Sequence, residues 1–191
     1  FLEFIGPTGN RTGEKPDNGF EFTVSSVTDT VTYWAPTGND EYGAFVVRPS
    51  SDIQLSELKV YQQDCSWGKS LVLRIKECTV DGTSVTVESA FSDSDNIQCV
   101  TSYTKEALEI SDSTKCTELS YSLSATYMLS AGKTYILWPI QQQNYTKVGF
   151  AVHTQHNSDV LGCVTPGFYM GLKTFTLQEV FPYMTINGVL Y

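Results

Sequence analysis

The residues able to do chemistry in this chain are few and scattered. His153 and His156 are the only histidines. An H-x-x-H pair with no other ligand nearby falls short of a metal site, and residues three apart on a strand face opposite sides. Both are expected in surface or turn roles. The five cysteines form no C-x-x-C pair, which fits an oxidising compartment better than a metal centre. Cys99 and Cys116 bracket an irregular polar stretch and are the expected disulfide. Cys65, Cys78 and Cys163 would supply a second bond and one odd thiol. With no G-x-S-x-G and no evident Cys-His partner, nucleophilic catalysis has no visible support. Ala131-Gly132-Lys133-Thr134 has the end of a phosphate loop, but Tyr127 stands where the first glycine belongs and a strand pattern follows. It reads as a turn.

Two further sets are candidate ligand sites. Asp93-Ser94-Asp95-Asn96 alternates oxygen ligands of the kind that Ca²⁺ takes, without the glycine and distant glutamate of an EF-hand loop. Asp93, Asp95 and Asn96 are the ligands expected there. Trp67 lies in a turn-forming stretch, Asp64 to Gly68, where an exposed indole would stack on a sugar ring. Paired carboxylates for glycoside hydrolysis would meet only in three dimensions, so a hydrolase stands as a third alternative.

The bulk numbers narrow the partners. A net charge of −9 and a sequence pI of about 4.6 argue against nucleic acid and against anionic membranes, both of which need a basic surface. No stretch reaches the roughly 18 apolar residues of a membrane span. Hydrophobic residues at 41% and charged ones at 17% mark a globular chain. Two sequons, Asn10-Arg11-Thr12 and Asn144-Tyr145-Thr146, lie in loop-like segments and imply glycosylation at Asn10 and Asn144. With no basic flank and no h-region, the start does not read as a signal peptide, so the chain is expected to be a mature secreted product.

The elements that must position these residues are strands. Phe20 to Val24 and Val27 to Trp34 alternate apolar and polar, whereas Tyr42 to Arg48 is nearly continuous and reads as a central strand. Leu58 to Tyr61, Ser70 to Lys76 and Thr83 to Glu88 follow, the last two joined by an Asp81-Gly82 hairpin signal. Phe91 to Lys115 reads as a long insertion loop containing one helical turn, Lys105 to Glu109. Alternation resumes at Leu119, Tyr135 and Lys147, and the chain closes on an Asn187-Gly188 hairpin signal. About ten short strands with regular turns predict a single all-β domain, a β-sandwich of jelly-roll type spanning 20–191.

Phe20 to Val24, Leu58 to Tyr61 and Leu129 to Leu137 together resemble the jelly-roll modules of secreted and surface proteins. The resemblance covers about two thirds of the chain. Such modules include glycan binders, adhesins and fibre subunits, so it bears on the fold rather than on one function.

Residues 1–19 stand apart from that domain. Phe1-Leu2-Glu3-Phe4-Ile5 is apolar on both faces, and Pro7 to Asn18 is a polar linker rich in Pro and Gly. A strand apolar on both faces belongs inside a sheet structure. The 12 linker residues extend to about 40 Å, enough to reach an adjacent subunit. This resembles donor-strand fibre subunits in architecture. The expectation is a non-catalytic extracellular subunit that assembles into a homopolymer by donating Phe1, Leu2, Phe4 and Ile5. The alternatives are completion of its own sandwich by that strand, and a glycan-binding or adhesive module using Trp67, with or without Ca²⁺.

Overall fold

The computed structural model describes residues 32–35, 42–63, 71–111, 114–141, 149–153, 156, 158–167 and 171–191. The fold is all-β. Fourteen strands are described: β1 (Thr32–Trp34), β2 (Ala44–Val47), β3 (Ile53–Gln63), β4 (Leu71–Asp81), β5 (Ser84–Thr86), β6 (Ile97–Ser111), β7 (Thr114–Leu129), β8 (Thr134–Gln141), β9 (Phe150–His153), β10 (Val160–Val164), β11 (Thr174–Thr176), β12 (Phe181–Pro182), β13 (Met184–Ile186) and β14 (Val189–Leu190). The main path through the sheet runs β1-β9-β3-β7-β6-β4-β8-β2-β10.

The sheet curls into a nearly closed, barrel-like ring. Gln178 bridges to β10 through two backbone bonds, Cys163 N to Gln178 O at 3.0 Å and Gln178 N to Cys163 O at 2.8 Å. Three residues on, β12 pairs with β9, Phe181 opposite His153. One short segment therefore joins the β10 edge back to β9. Closure removes edges that would otherwise present unpaired amides. Gly162 permits it: its φ is +146°, and a Cβ there would collide with the Gln178 carbonyl oxygen.

Side-chain alternation builds two apolar layers. Phe45 and Val47, Leu71, Leu73 and Ile75, and Tyr135 and Leu137 point into the ring, where they meet Leu58, Val60, Tyr121, Phe150, Met184 and Tyr191. Their alternates, Ala44 and Val46, Val72, Ile136 and Trp138, lie on the outside against Val85, Val87 and Phe175. The β5–β11 pair covers that outer face. Burial on both sides explains why Tyr42 to Arg48 and Tyr135 to Ile140 are apolar almost without interruption. As expected for a central strand, β2 lies between β8 and β10.

Two of the expected turns form at Asp81-Gly82 and Asn187-Gly188, while the one expected at Asp64–Gly68 lies outside the described residues. Gly82 takes φ +61° between β4 and β5, and Asn187 and Gly188 take +48° and +84° between β13 and β14. The Phe91–Lys115 stretch departs from expectation. It holds a short 3-10 turn at Asp93–Asp95 and then β6, with Lys105 to Glu109 in the strand instead of a helical turn. Pairing along β7 gives this backbone its hydrogen-bond partners, and such tertiary pairing outweighs a few residues of helix propensity.

Candidate functional site

A cluster of charged and aromatic side chains lies on the outer face of β4 and β8. Arg74 and Trp138 are cross-strand partners, which brings the guanidinium carbon 4.9 Å from the indole centroid. Arg74 is 2% exposed. Its Nε donates to Asn96 Oδ1 at 2.7 Å and its Nη2 to Asp93 Oδ1 at 2.9 Å. Phe91 meets Trp138 edge-on at 5.1 Å. Burial pushes the Arg74 pKa down, while Asp93 and Asp95 pull it back up. One strand period on, Lys76 pairs with Asp95 at 3.3 Å and donates to Ser89 Oγ at 3.0 Å.

This arrangement revises the expected Ca²⁺ loop. Asp93, Asp95 and Asn96 do come together, but each has a side-chain oxygen directed at Arg74 or Lys76. A bound dication would have to displace two cations already in contact with those oxygens. The Ser92 amide also donates to Asp95 Oδ2 at 2.8 Å, fixing the turn. The loop's role is to satisfy a buried guanidinium.

The expected Cys99–Cys116 disulfide does not form. Both cysteines are free, as are Cys78 and Cys163. Cys99 sits opposite Leu123, whereas Cys116 sits opposite Leu108. The seven residue steps along β7 from position 116 to 123 put the two roughly 24 Å apart at about 3.4 Å per step, far beyond the reach of an S–S bond. Bracketing an insertion in sequence implied proximity only while that insertion was read as a loop. Burial raises every one of these thiols, Cys99 and Cys116 to about 11 and Cys78 to about 12. At neutral pH they are protonated and are poor nucleophiles.

His153 is buried rather than at the surface, because β9 is part of the ring wall. Its ring stacks on Phe181 at 6.1 Å, while the exposed His156 packs against the same Phe181 at 5.0 Å. Among the described residues no three His, Cys, Asp or Glu gather as a metal site. Ala131–Lys133 is a turn, as expected, with the Ala131 amide donating to Asp52 Oδ1 at 2.8 Å.

One polar group escaped the sequence reading. Glu57 Oε2 accepts from Ser120 Oγ at 3.0 Å and Ser122 Oγ at 3.2 Å, and its other oxygen lies 3.6 Å from Lys59 Nζ. The four residues come from β3 and β7 and share the ring's outer face. No histidine touches them, and Glu57 is already engaged by a cation and two hydroxyls, so the set reads as a cross-strand polar network. Its only signal in sequence was alternation.

Phe1, Leu2, Phe4, Ile5, Asn10, Trp67 and Asn144 lie outside the described residues. Among the described residues β6 pairs with β4 over Ile97–Cys99 and with β7 along most of its length, and residues 64–70, which precede β4, lie outside the described residues. Val100, next along β6, is 66% exposed. No protein-family model matches the chain, and no curated protein or solved structure matches it either.

Proposed function

We propose that the protein is a non-catalytic extracellular structural subunit on a flattened jelly-roll barrel, which assembles with its own copies by donating the Phe1–Ile5 strand to a neighbour. The observation that carries this reading is the segment itself, Phe1-Leu2-Glu3-Phe4-Ile5, apolar on both faces and followed by a polar linker rich in Pro and Gly. Side chains from Phe45 to Tyr191 pack the interior of the ring, and the cavity lined by Val47, Leu129, Ile186 and Tyr191 is about the size of one water molecule. A segment as apolar as Phe1–Ile5 gains about 1.5–3 kcal/mol per large side chain by burial. A strand taken up by a second copy satisfies both its backbone and its side chains. Head-to-tail contacts of this kind build open filaments. The charged and polar clusters described above engage one another and offer no reacting group.

Electron microscopy of the full chain tests the proposal. Uniform filaments that disappear in Phe4→Asp are the expected result. A wild-type chain that stays monomeric at every concentration would overturn it.

A further inference from the structure

We infer that Asn187 is a site of spontaneous deamidation that the fold holds shut, and that it opens only when the β13–β14 hairpin leaves β3. Asn187-Gly188 is one of two Asn-Gly pairs in the chain, the other being Asn18-Gly19. The dipeptide sets the chemistry, because glycine has no side chain to shield its amide nitrogen. That nitrogen attacks Asn187 Cγ. The N–Cγ bond forms, the Cγ–Nδ2 bond breaks, and Nδ2 leaves as ammonia with the proton that Gly188 N gave up. Water then opens the five-membered imide at either carbonyl, giving aspartate or isoaspartate. Nothing is oxidised or reduced.

Two observations close this route in the folded chain. The first is the backbone. Asn187 and Gly188 have φ of +48° and +84° and form the two-residue turn that closes the Ile186–Val189 pair. A left-handed residue has ψ near about +47°, which turns the following nitrogen to the far side of the Cα–C bond from Cβ. Ring closure needs the two on the same side. The second observation is the side chain. Oδ1 accepts from Ser56 N at 2.8 Å, Ser56 Oγ at 3.0 Å and Glu57 N at 3.1 Å, and Nδ2 donates to the Gln54 carbonyl at 2.5 Å. All four partners lie on β3, so the amide reaches Gly188 only after those bonds break. The Lys59–Thr185 and Leu58–Ile186 pairs hold the same segment in place.

The two products differ in what they leave behind. Aspartate keeps Oδ1 and an unaltered main chain. Isoaspartate carries Cβ within the main chain, which lengthens the turn by one atom and takes the carboxylate away from Ser56 and Glu57. Their amides then lose an acceptor. Each opening of the hairpin is therefore a chance of a permanent change, and the isoaspartate content of a sample records how often the hairpin has opened.

Peptide mapping of the full chain, held at pH 8 with and without concentrated urea, tests this. In urea Asn187 and Asn18 should convert at similar rates. Without urea Asn187 should convert at least about tenfold more slowly than in urea, and hydrogen exchange of the Asn187 amide should be slowed to match, since both wait on the same local opening. Isoaspartate chains returned from urea should unfold at a lower urea concentration than Asn187→Asp. Native conversion as fast as in urea would show that the fold does not close the site. Asn187 inert in urea while Asn18 converts would remove the site altogether. Isoaspartate chains as stable as Asn187→Asp would show that the hairpin re-forms on β3 regardless.

Discussion

Asn187 and Glu57 exchange hydrogen bonds in both directions: the Glu57 amide donates to Asn187 Oδ1 at 3.1 Å, and the Asn187 amide donates to the Glu57 carbonyl at 3.0 Å. Ser56 N and Ser56 Oγ also donate to the same Oδ1, at 2.8 and 3.0 Å, and Asn187 Nδ2 donates to the Gln54 carbonyl at 2.5 Å. These bonds hold the β3 register shift between Leu55 and Glu57. Without that shift the inward set of Ile53 and Leu55 would be out of phase with Leu58 and Val60. The β13–β14 turn therefore sets the phase of a strand far away in sequence.

Asn187→Ala should lower unfolding free energy by about 2–3 kcal/mol, through the lost side-chain bonds and the positive φ that alanine tolerates poorly. Asn187→Asp, which keeps Oδ1 but not the Nδ2 donor, should cost less. Urea denaturation measures both, and equal losses would show that the clamp is not the cause.

The Arg74 cluster makes an asymmetric prediction. Arg74→Ala leaves Asn96 without its donor and strips a cation from the Trp138 face in a buried layer, a loss of about 3–5 kcal/mol. Asp93 is 90% exposed on its side chain, so Asp93→Asn should cost below about 1 kcal/mol. Thermal melts of the two variants, in low and high salt, check the ratio. If Asp93→Asn proved as damaging as Arg74→Ala, the exposed carboxylate would be doing more than pairing.

Thiol chemistry gives a pH dependence with a definite sign. Cys99 and Cys116 have folded pKa values of about 11 against an ordinary 9.0, so the native state holds its thiol protons more tightly than the unfolded chain. Stability is then level below about pH 9 and falls as pH rises towards 11. Alkylation at pH 8 should label these cysteines, Cys78 and Cys163 slowly in the native protein and rapidly in guanidinium. Cys99→Ser, Cys116→Ser and the double variant should each fold, since no bond joins the pair. Rapid native labelling of Cys163, which is fully buried, would contradict the structure.

Two glycine substitutions compare backbone strain alone, at Gly82, with strain joined by a collision, at Gly162. Gly162→Ala drives a methyl group into the Gln178 carbonyl at the seam and should destabilise by roughly 3 kcal/mol or more. Gly82→Ala meets nothing within 4 Å and carries only the penalty of φ +61°, about 1–2 kcal/mol. Chemical denaturation ranks them, and the reverse order would mean that the seam relaxes freely.

Much of the architecture was legible because its signals are short-range. The Asp81-Gly82 and Asn187-Gly188 turns need positive φ within a few residues, and they appear where their residue types stand. The unbroken apolar run from Tyr42 to Val47 marked a strand buried on both faces. The polar run before Lys115 misled, since its strand character comes from β7, a partner that local composition does not reveal. With that misreading went the Cys99–Cys116 pair.

By itself, then, the sequence determined an acidic all-β chain, the Asp81-Gly82 and Asn187-Gly188 turns and the doubly buried run of β2. These follow from sterics and burial over windows of a few residues. Only the tertiary structure decided that Asp93 and Asn96 serve Arg74 instead of a metal ion, that Cys99 and Cys116 are held far apart, and that Asn187 sets the phase of β3. Each is a relation between distant segments. Such relations arise when a whole sheet selects the one register that buries its apolar faces and leaves its polar groups bonded.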